Sequence, residues 1–168
     1  IVSPERGEGR SFLAANLAAV FSQLGEHTLL IDADIRNPRQ HALFRLDNSA
    51  GLSAVLSGRG DAAAIQRVAA LADLSVLPAG TQPPNPQELL ARLAFKTLLD
   101  DLAGEFDVIL IDTPAGGECA DAQTVAARAG GALMLVRQNA SRLRSASELA
   151  RNISETGGTV IGAVMNTF

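Results

Sequence analysis

An α/β fold, with a mostly parallel sheet covered by helices on both faces, is what this sequence predicts. Three observations carry that reading. Apolar runs of strand length alternate along the chain with amphipathic segments of helix length. Most of the strand candidates are near-continuous hydrophobic runs rather than in/out alternations, as expected of strands buried on both sides. Finally, a glycine-rich turn follows the first strand and opens a helix, and two later strands end in aspartate. That is the edge at which open parallel sheets bind ligands.

Taken in order, Ile1-Val2-Ser3 is the first strand candidate, cut short beside the usual length of about five or six residues. Leu13, Leu17, Phe21 and Leu24 recur at i, i+4, i+8 and i+11, one stripe of a helix, and Gly25 supplies its stop. Thr28–Asp32 is the second strand and Leu74–Pro78 the third. Asn85 is read as an N-cap, with Pro86 in the first helical position and Glu88 completing a capping box. Val108–Asp112, Gly131–Val136 and Val160–Met165 are the remaining strands. The short first strand and the stop after the last one predict a single domain over 1–168, trimmed at both ends.

Composition excludes several classes. The 168 residues are 47% hydrophobic and 19% charged, which no disordered or fibrous chain is. A net charge of −4 disfavours nucleic acid as a partner. The apolar runs are short and interrupted, so none is expected to insert into a bilayer. One cysteine, Cys119, offers no internal disulfide, and with no signal-peptide pattern the expected compartment is the cytoplasm. The chain contains neither Trp nor Tyr.

The chemistry concentrates at Ser3–Ser11. Glycines let backbone N–H groups turn toward phosphate oxygens, and the start of a helix adds partial positive charge. Gly7, Glu8, Gly9, Arg10, Ser11 and Phe12 are the candidate cradle, with the Ser11 hydroxyl placed for Mg²⁺. The match to G-x-x-x-x-G-K-[ST] is partial, because Pro4 stands at its first glycine and Arg10 at its lysine. Asp32-Ala33-Asp34 and Asp112-Thr113-Pro114 bring carboxylates to the same edge, the oxygen ligands that Mg²⁺ takes beside phosphate. A dinucleotide-type turn is excluded, since Phe12 occupies the third glycine of G-x-G-x-x-G, where close helix–strand packing tolerates no side chain.

With these residues stand Ala15-Asn16-Leu17-Ala18, Leu30-Ile31-Asp32-Ala33-Asp34-Ile35-Arg36-Asn37-Pro38, His41, Gly51-Leu52-Ser53, Leu77–Gly80, Pro84–Leu90, Phe106–Pro114, Ala120–Gln123 and Gly162–Asn166. In that order they resemble the bacterial tyrosine kinases associated with exopolysaccharide chain-length determinants, which share a scaffold with the partitioning and septum-placing ATPases. The resemblance implies a three-layer P-loop NTPase fold with ATP (or ADP) and Mg²⁺ on Gly7–Ser11. It implies catalytic roles for Arg10, Asp32, Asp34 and Asp112, metal contacts from Ser11, Asp32 and Asp112, and Asn166 beside the adenine. It further implies γ-phosphoryl transfer to tyrosine, a membrane-embedded chain-length adaptor as partner, nucleotide-dependent homo-oligomers, and a cytoplasmic position at the inner membrane through the adaptor.

This chain departs from the pattern at four points. Arg10 keeps the lysine's charge in a larger, planar group, so nucleotide affinity is expected to persist with slower turnover. Phe12 stands where threonine is usual. Glu5 replaces the extra lysine of the partitioning ATPases, disfavouring their dimer mechanism. Without tyrosine, the segment cannot be its own acceptor. Two other readings therefore stay open, a partitioning-type ATPase acting as an assembly switch and a regulatory nucleotide-binding module. Arg137, Arg142, Arg144 and Arg151 are read as a solvated helix face, His27 as a surface residue, His41 as structural, and Cys119 as chemically idle.

Overall fold

The computed structural model describes residues 1–168, the side chain of Ala62 excepted. The elements run α1 (Arg10–Gln23), β1 (Thr28–Asp32), α2 (Gln40–Phe44), α3 (Leu52–Leu56), β2 (Gln66–Arg67), β3 (Leu74–Leu77), α4 (Pro86–Ala91), α5 (Leu93–Leu102), β4 (Val108–Asp112), α6 (Asp121–Ala129), β5 (Gly131–Arg137), α7 (Leu143–Glu155) and β6 (Thr159–Asn166). β1 lies between β3 and β4, parallel to both, and β5 pairs in parallel with β6.

The opening segment joins these two groups of strands. Val2 bridges Met134 in parallel, with Val2 N donating to Leu133 O at 2.9 Å and Leu135 N to Val2 O at 2.8 Å. On its other side the Ile1 nitrogen lies 2.6 Å from Ile111 O. The expected first strand is thus an isolated bridge that threads between β4 and β5. One short element runs against the parallel set: Gln66 and Arg67 pair antiparallel with Val76 and Ser75. Their two polar side chains carry no strand pattern, and the pairing comes from the position of the neighbouring β3.

β1 is buried at every residue, and Leu29, Ile31, Leu77, Leu90, Phe95 and Ile111 form the centre of the largest core. Its continuous hydrophobic run meets apolar packing on both faces.

The leucine stripe of α1 is a correction. Ala14 and Ala18 are the residues packed against Leu30, Leu74 and Val76, and Ser22 is buried on the same line. Leu13, Leu17 and Phe21 are half-buried and Leu24 is exposed. Small side chains let the helix backbone settle close on the sheet, so burial follows alanine rather than side-chain size. A second correction concerns α4. Pro86 does take the first helical position, but Asn85 makes no cap to the backbone. Its Nδ2 donates instead to Glu88 Oε2, at 3.4 Å.

Candidate functional site

The loop between Ser3 and α1 is shaped by Gly7 and Gly9, with φ of 76° and 97°. These are left-handed conformations in which a Cβ is strained. At Gly9 a Cβ would also stand 2.9 Å from Asn166 Nδ2. The loop is braced from outside. Glu8 is buried, and its carboxylate accepts the Glu5 amide at 2.8 Å and the Ser141 hydroxyl. Arg137 Nη1 donates to Gly7 O at 3.3 Å, and Asn166 Nδ2 to Glu8 O at 2.9 Å. The amides of Gly7, Glu8 and Gly9 donate to no acceptor among the described residues. The first-turn amides of Arg10, Ser11 and Phe12 lie beyond what a helix satisfies internally. The result is a rigid concave row of donors, the arrangement that takes phosphate oxygens.

β1 and β4 bring the carboxylates in. Asp32 and Asp112 are in register as strand neighbours, and both are fully buried. Asp32 holds the following loop: Oδ2 accepts the amides of Arg39 and Gln40, both at 2.9 Å, and Oδ1 accepts the Asp34 amide at 3.2 Å. Asp112 Oδ2 accepts Gln40 Nε2 at 2.8 Å, whereas Asp112 Oδ1 is buried with no partner. An orphaned carboxylate oxygen in such a place costs free energy unless a cation or ordered water takes it up. That donor chemistry fits Mg²⁺. Asp112 and Ser11 would hold the ion, with Asp32 behind them fixing the loop, and Mg²⁺ would supply neutralisation of phosphate charge.

Arg10 is 8% exposed and points inward. Its Nε donates to Thr113 O at 2.7 Å and its Nη1 to Ser3 Oγ and, at 3.1 Å, to Glu5 O, while Nη2 stands 4.0 Å from Asp34 Oδ2. The guanidinium therefore ties the loop to the end of β4.

One cavity of about 500 Å³ is lined by Gly7, Gly9, Arg10, Ser11, Phe12 and Asp34. Asp32 and Asp112 lie outside that lining. Asn166 does too: its Nδ2 is engaged by Glu8 O, and its Oδ1 accepts the Phe168 amide at 3.1 Å. Two residues absent from the sequence reading matter here. Gln40, fully buried, links Asp112 to Ser11 O, which its Nε2 reaches at 3.1 Å. Ser141 ties the β5–α7 connection to Glu8. The position of Gln40, directly after the Asp34–Arg39 turn, was the only signal available for it.

Burial and the neighbouring Asp112 push the Asp32 carboxyl up to about 7, against the pull of the Gln40 and Arg39 amides. Asp34 is also raised, chiefly by burial, with the Asn37 amide opposing. A carboxyl raised on folding binds its proton more tightly in the native state. Its penalty is absent below the unfolded value and complete above the folded one. For Asp32 that window runs from 3.8 to about 7 and amounts to something on the order of 4 kcal/mol. Relative to Asp32→Asn, which removes this titration but leaves the opposite one of the buried Ile1 amine (lowered to about 6), the metal-free protein is therefore expected to lose about 5 °C in Tm between about pH 5.5 and about pH 8. A Tm difference between parent and Asp32→Asn that stays flat or rises over that range in thermal unfolding contradicts this arrangement.

The comparisons with known proteins follow the same residues. The family model described as cellulose biosynthesis protein BcsQ matches residues 5–152. The tyrosine-protein kinase YwqD of Bacillus subtilis is 36% identical over 166 residues, 99% of this chain and 70% of YwqD. The chain belongs to the bacterial tyrosine-protein kinases. The Wzc kinase of Salmonella typhimurium is also 36% identical, over 160 residues, but those 95% of this chain span only 22% of Wzc. Among solved structures, the kinase domain of the Escherichia coli tyrosine kinase ETK superposes with a TM-score of 0.94 at 31% identity, covering 98% of this chain and 65% of that one. The three-layer P-loop fold expected of these tyrosine kinases is the one described above.

Elsewhere in this tyrosine-kinase chain, Arg36 pairs with buried Asp121 (Nε to Oδ2, 2.8 Å), fixing the turn after Asp34 to α6. Arg144 pairs with Glu148 on the surface of α7, His27 is exposed, and His41 is half-buried. Burial raises the Cys119 thiol, the opposite of what a nucleophile needs.

Proposed function

We propose that this chain is an ATP- and Mg²⁺-dependent protein-tyrosine kinase domain that regulates exopolysaccharide chain length. One observation carries the reading: a row of unengaged loop amides opens beside a buried carboxylate, Asp112, whose Oδ1 has no partner. Such a site suits phosphoryl transfer, in which positioning and charge neutralisation dominate over covalent work. Bound Mg·ATP supplies the transferable phosphoryl group. The loop amides and the Ser11 hydroxyl orient the phosphates, while Arg10 and Asp32 keep the loop and its flanking turn in place. Asp34, in the cavity and with its pKa raised by burial, receives the proton of the incoming hydroxyl.

Names among the relatives support the setting, since BcsQ is described as a cellulose biosynthesis protein. Among the described residues no helix is long and apolar enough to cross a membrane. We place the domain in the cytoplasm, held at the inner membrane by a membrane chain-length adaptor and assembling with copies of itself when nucleotide is bound. The acceptor tyrosine lies outside these 168 residues, which contain none.

The test is incubation with labelled ATP, Mg²⁺ and a Glu/Tyr copolymer, followed by phosphoamino-acid analysis. Label on tyrosine supports the kinase. Phosphate release without labelled protein moves the function to an assembly-switch ATPase, and no calorimetric heat with adenine nucleotides overturns both.

A further inference from the structure

The cavity beside the loop has one wall that phosphate chemistry does not require. Phe12 and Leu43 line it together, and they are 69% and 48% exposed. Ala42 extends the same apolar strip, and Asp34 lies in the same cavity. Leaving a phenylalanine ring in water beside the phosphate cradle forfeits its burial free energy. The cavity also has a cationic rim. Arg39 is exposed and has no carboxylate partner among the described residues, whereas Arg6 is neutralised by Glu118.

We infer that Phe12 and Leu43 form the subsite for the aromatic ring of the acceptor tyrosine, with Arg39 drawing in acidic residues flanking it. The inference rests on the kinase reading above and adds a residue-level acceptor site to it. Three features favour this occupant. A phenol is amphipathic: its ring needs an apolar shelf and its hydroxyl a proton acceptor, and this cavity lines both a shelf and the Asp34 carboxylate. Water, the acceptor of a simple ATPase, needs no shelf. Triphosphate, which the loop amides suit, gains nothing from an aromatic ring. Offset or edge-to-face contact between Phe12 and a tyrosine ring is favourable beyond the area it covers. Phe12 and Leu43 are specificity residues here, and no bond is made or broken by either.

The chain's lack of tryptophan supplies a direct probe. In Phe12→Trp the only indole stands on the shelf, and its emission is followed while an acidic peptide bearing one tyrosine is added. The expected result is a saturable blue shift that the same peptide with alanine for tyrosine does not produce. In steady-state kinetics, Leu43→Ala is expected to raise the peptide KM about five- to tenfold, leaving the KM for ATP within about twofold. Arg39→Gln is expected to raise the peptide KM and flatten its salt dependence.

Equal emission changes with both peptides overturn the inference, as does a peptide KM unmoved by Leu43→Ala. A shift produced by ADP alone, with a raised KM for ATP in Leu43→Ala, assigns the shelf to the nucleotide base and also overturns it. The emission titration needs no turnover. Tyrosine-dependent binding without phosphotransfer by the parent protein would therefore count against the kinase reading while keeping the shelf.

Discussion

Asp112→Asn is expected to abolish phosphotransfer, by about a thousandfold or more, while the protein stays folded and grows no less stable. The expectation follows from where the two carboxylates lie. Asp112 and Asp32 are adjacent across β1 and β4, both without solvent, and no cation touches Asp112 among the described residues. The substitution keeps the shape and keeps an acceptor for Gln40 Nε2, which now reaches Asp112 Oδ2 at 2.8 Å. What it removes is the negative charge. Without it Asp32 loses one of the causes of its raised pKa, so the variant gains Tm relative to the parent as pH rises. Replacement of one buried like charge by a neutral isostere is neutral or stabilising in such a setting.

For catalysis the same removal is severe, because the orphaned Oδ1 is the oxygen best placed to take up a divalent ion. Two measurements check this. Single-turnover transfer from labelled ATP should fall to background, and the Mg²⁺-dependent rise in Tm with nucleotide should vanish. A variant that retains transfer within about tenfold of the parent would place the metal elsewhere. Asp112→Ala separates the two effects from the opposite side. It strands the Gln40 amide in the core, so it should lose stability as well as activity.

Much of this arrangement was legible in the residue order. β1 and β4 announce themselves as apolar runs ending in Asp32 and Asp112, and the glycine pattern places the loop at the same sheet edge. Local signals suffice there because β1 is buried along its length, β4 is buried at Ile111 and Asp112, and the loop conformation needs glycine at 7 and 9. The reading failed where burial was decided by close approach rather than by apolar size. In α1, Ala14 and Ala18 face the sheet, and the leucines that carry the periodicity do not. It also failed for side chains whose partners are remote in sequence. Gln40 meets Asp112 across 72 positions, and Glu8 meets Ser141 across 133. No window-based pattern contains such pairs, and glutamine and serine have no composition signal of their own. The resemblance sets Asn166 beside the adenine; in the structure its Nδ2 donates to Glu8 O and its Oδ1 accepts the Phe168 amide, partners that no local pattern announces. Its contribution to this structure is to hold the loop.

Arg10→Lys is expected to act in opposite directions on stability and turnover. The arginine spans a gap: one edge of the guanidinium donates to Thr113 O beyond β4, another to Ser3 Oγ and Glu5 O in the loop. A lysine presents its three donors from a single nitrogen and cannot reach both sides at once. At least one carbonyl or hydroxyl then loses a charge-assisted partner in a buried place, at a cost of about 2 kcal/mol, or a Tm lower by about 5 °C. Turnover should move the other way. The guanidinium is held inward by those three bonds and is 8% exposed, so little of it faces the phosphate cradle. An ammonium on a flexible stem, freed from Thr113 O, can turn toward the phosphates, and one well-aimed donor in such a site is worth about tenfold or more in rate. The pair of readouts tests whether Arg10 serves mainly as a tie between loop and strand. Faster transfer with a lower Tm supports that role, whereas equal or slower transfer in Arg10→Lys excludes it. Arg10→Ala supplies the reference, since it removes the tie without offering a new cation and should lower both quantities.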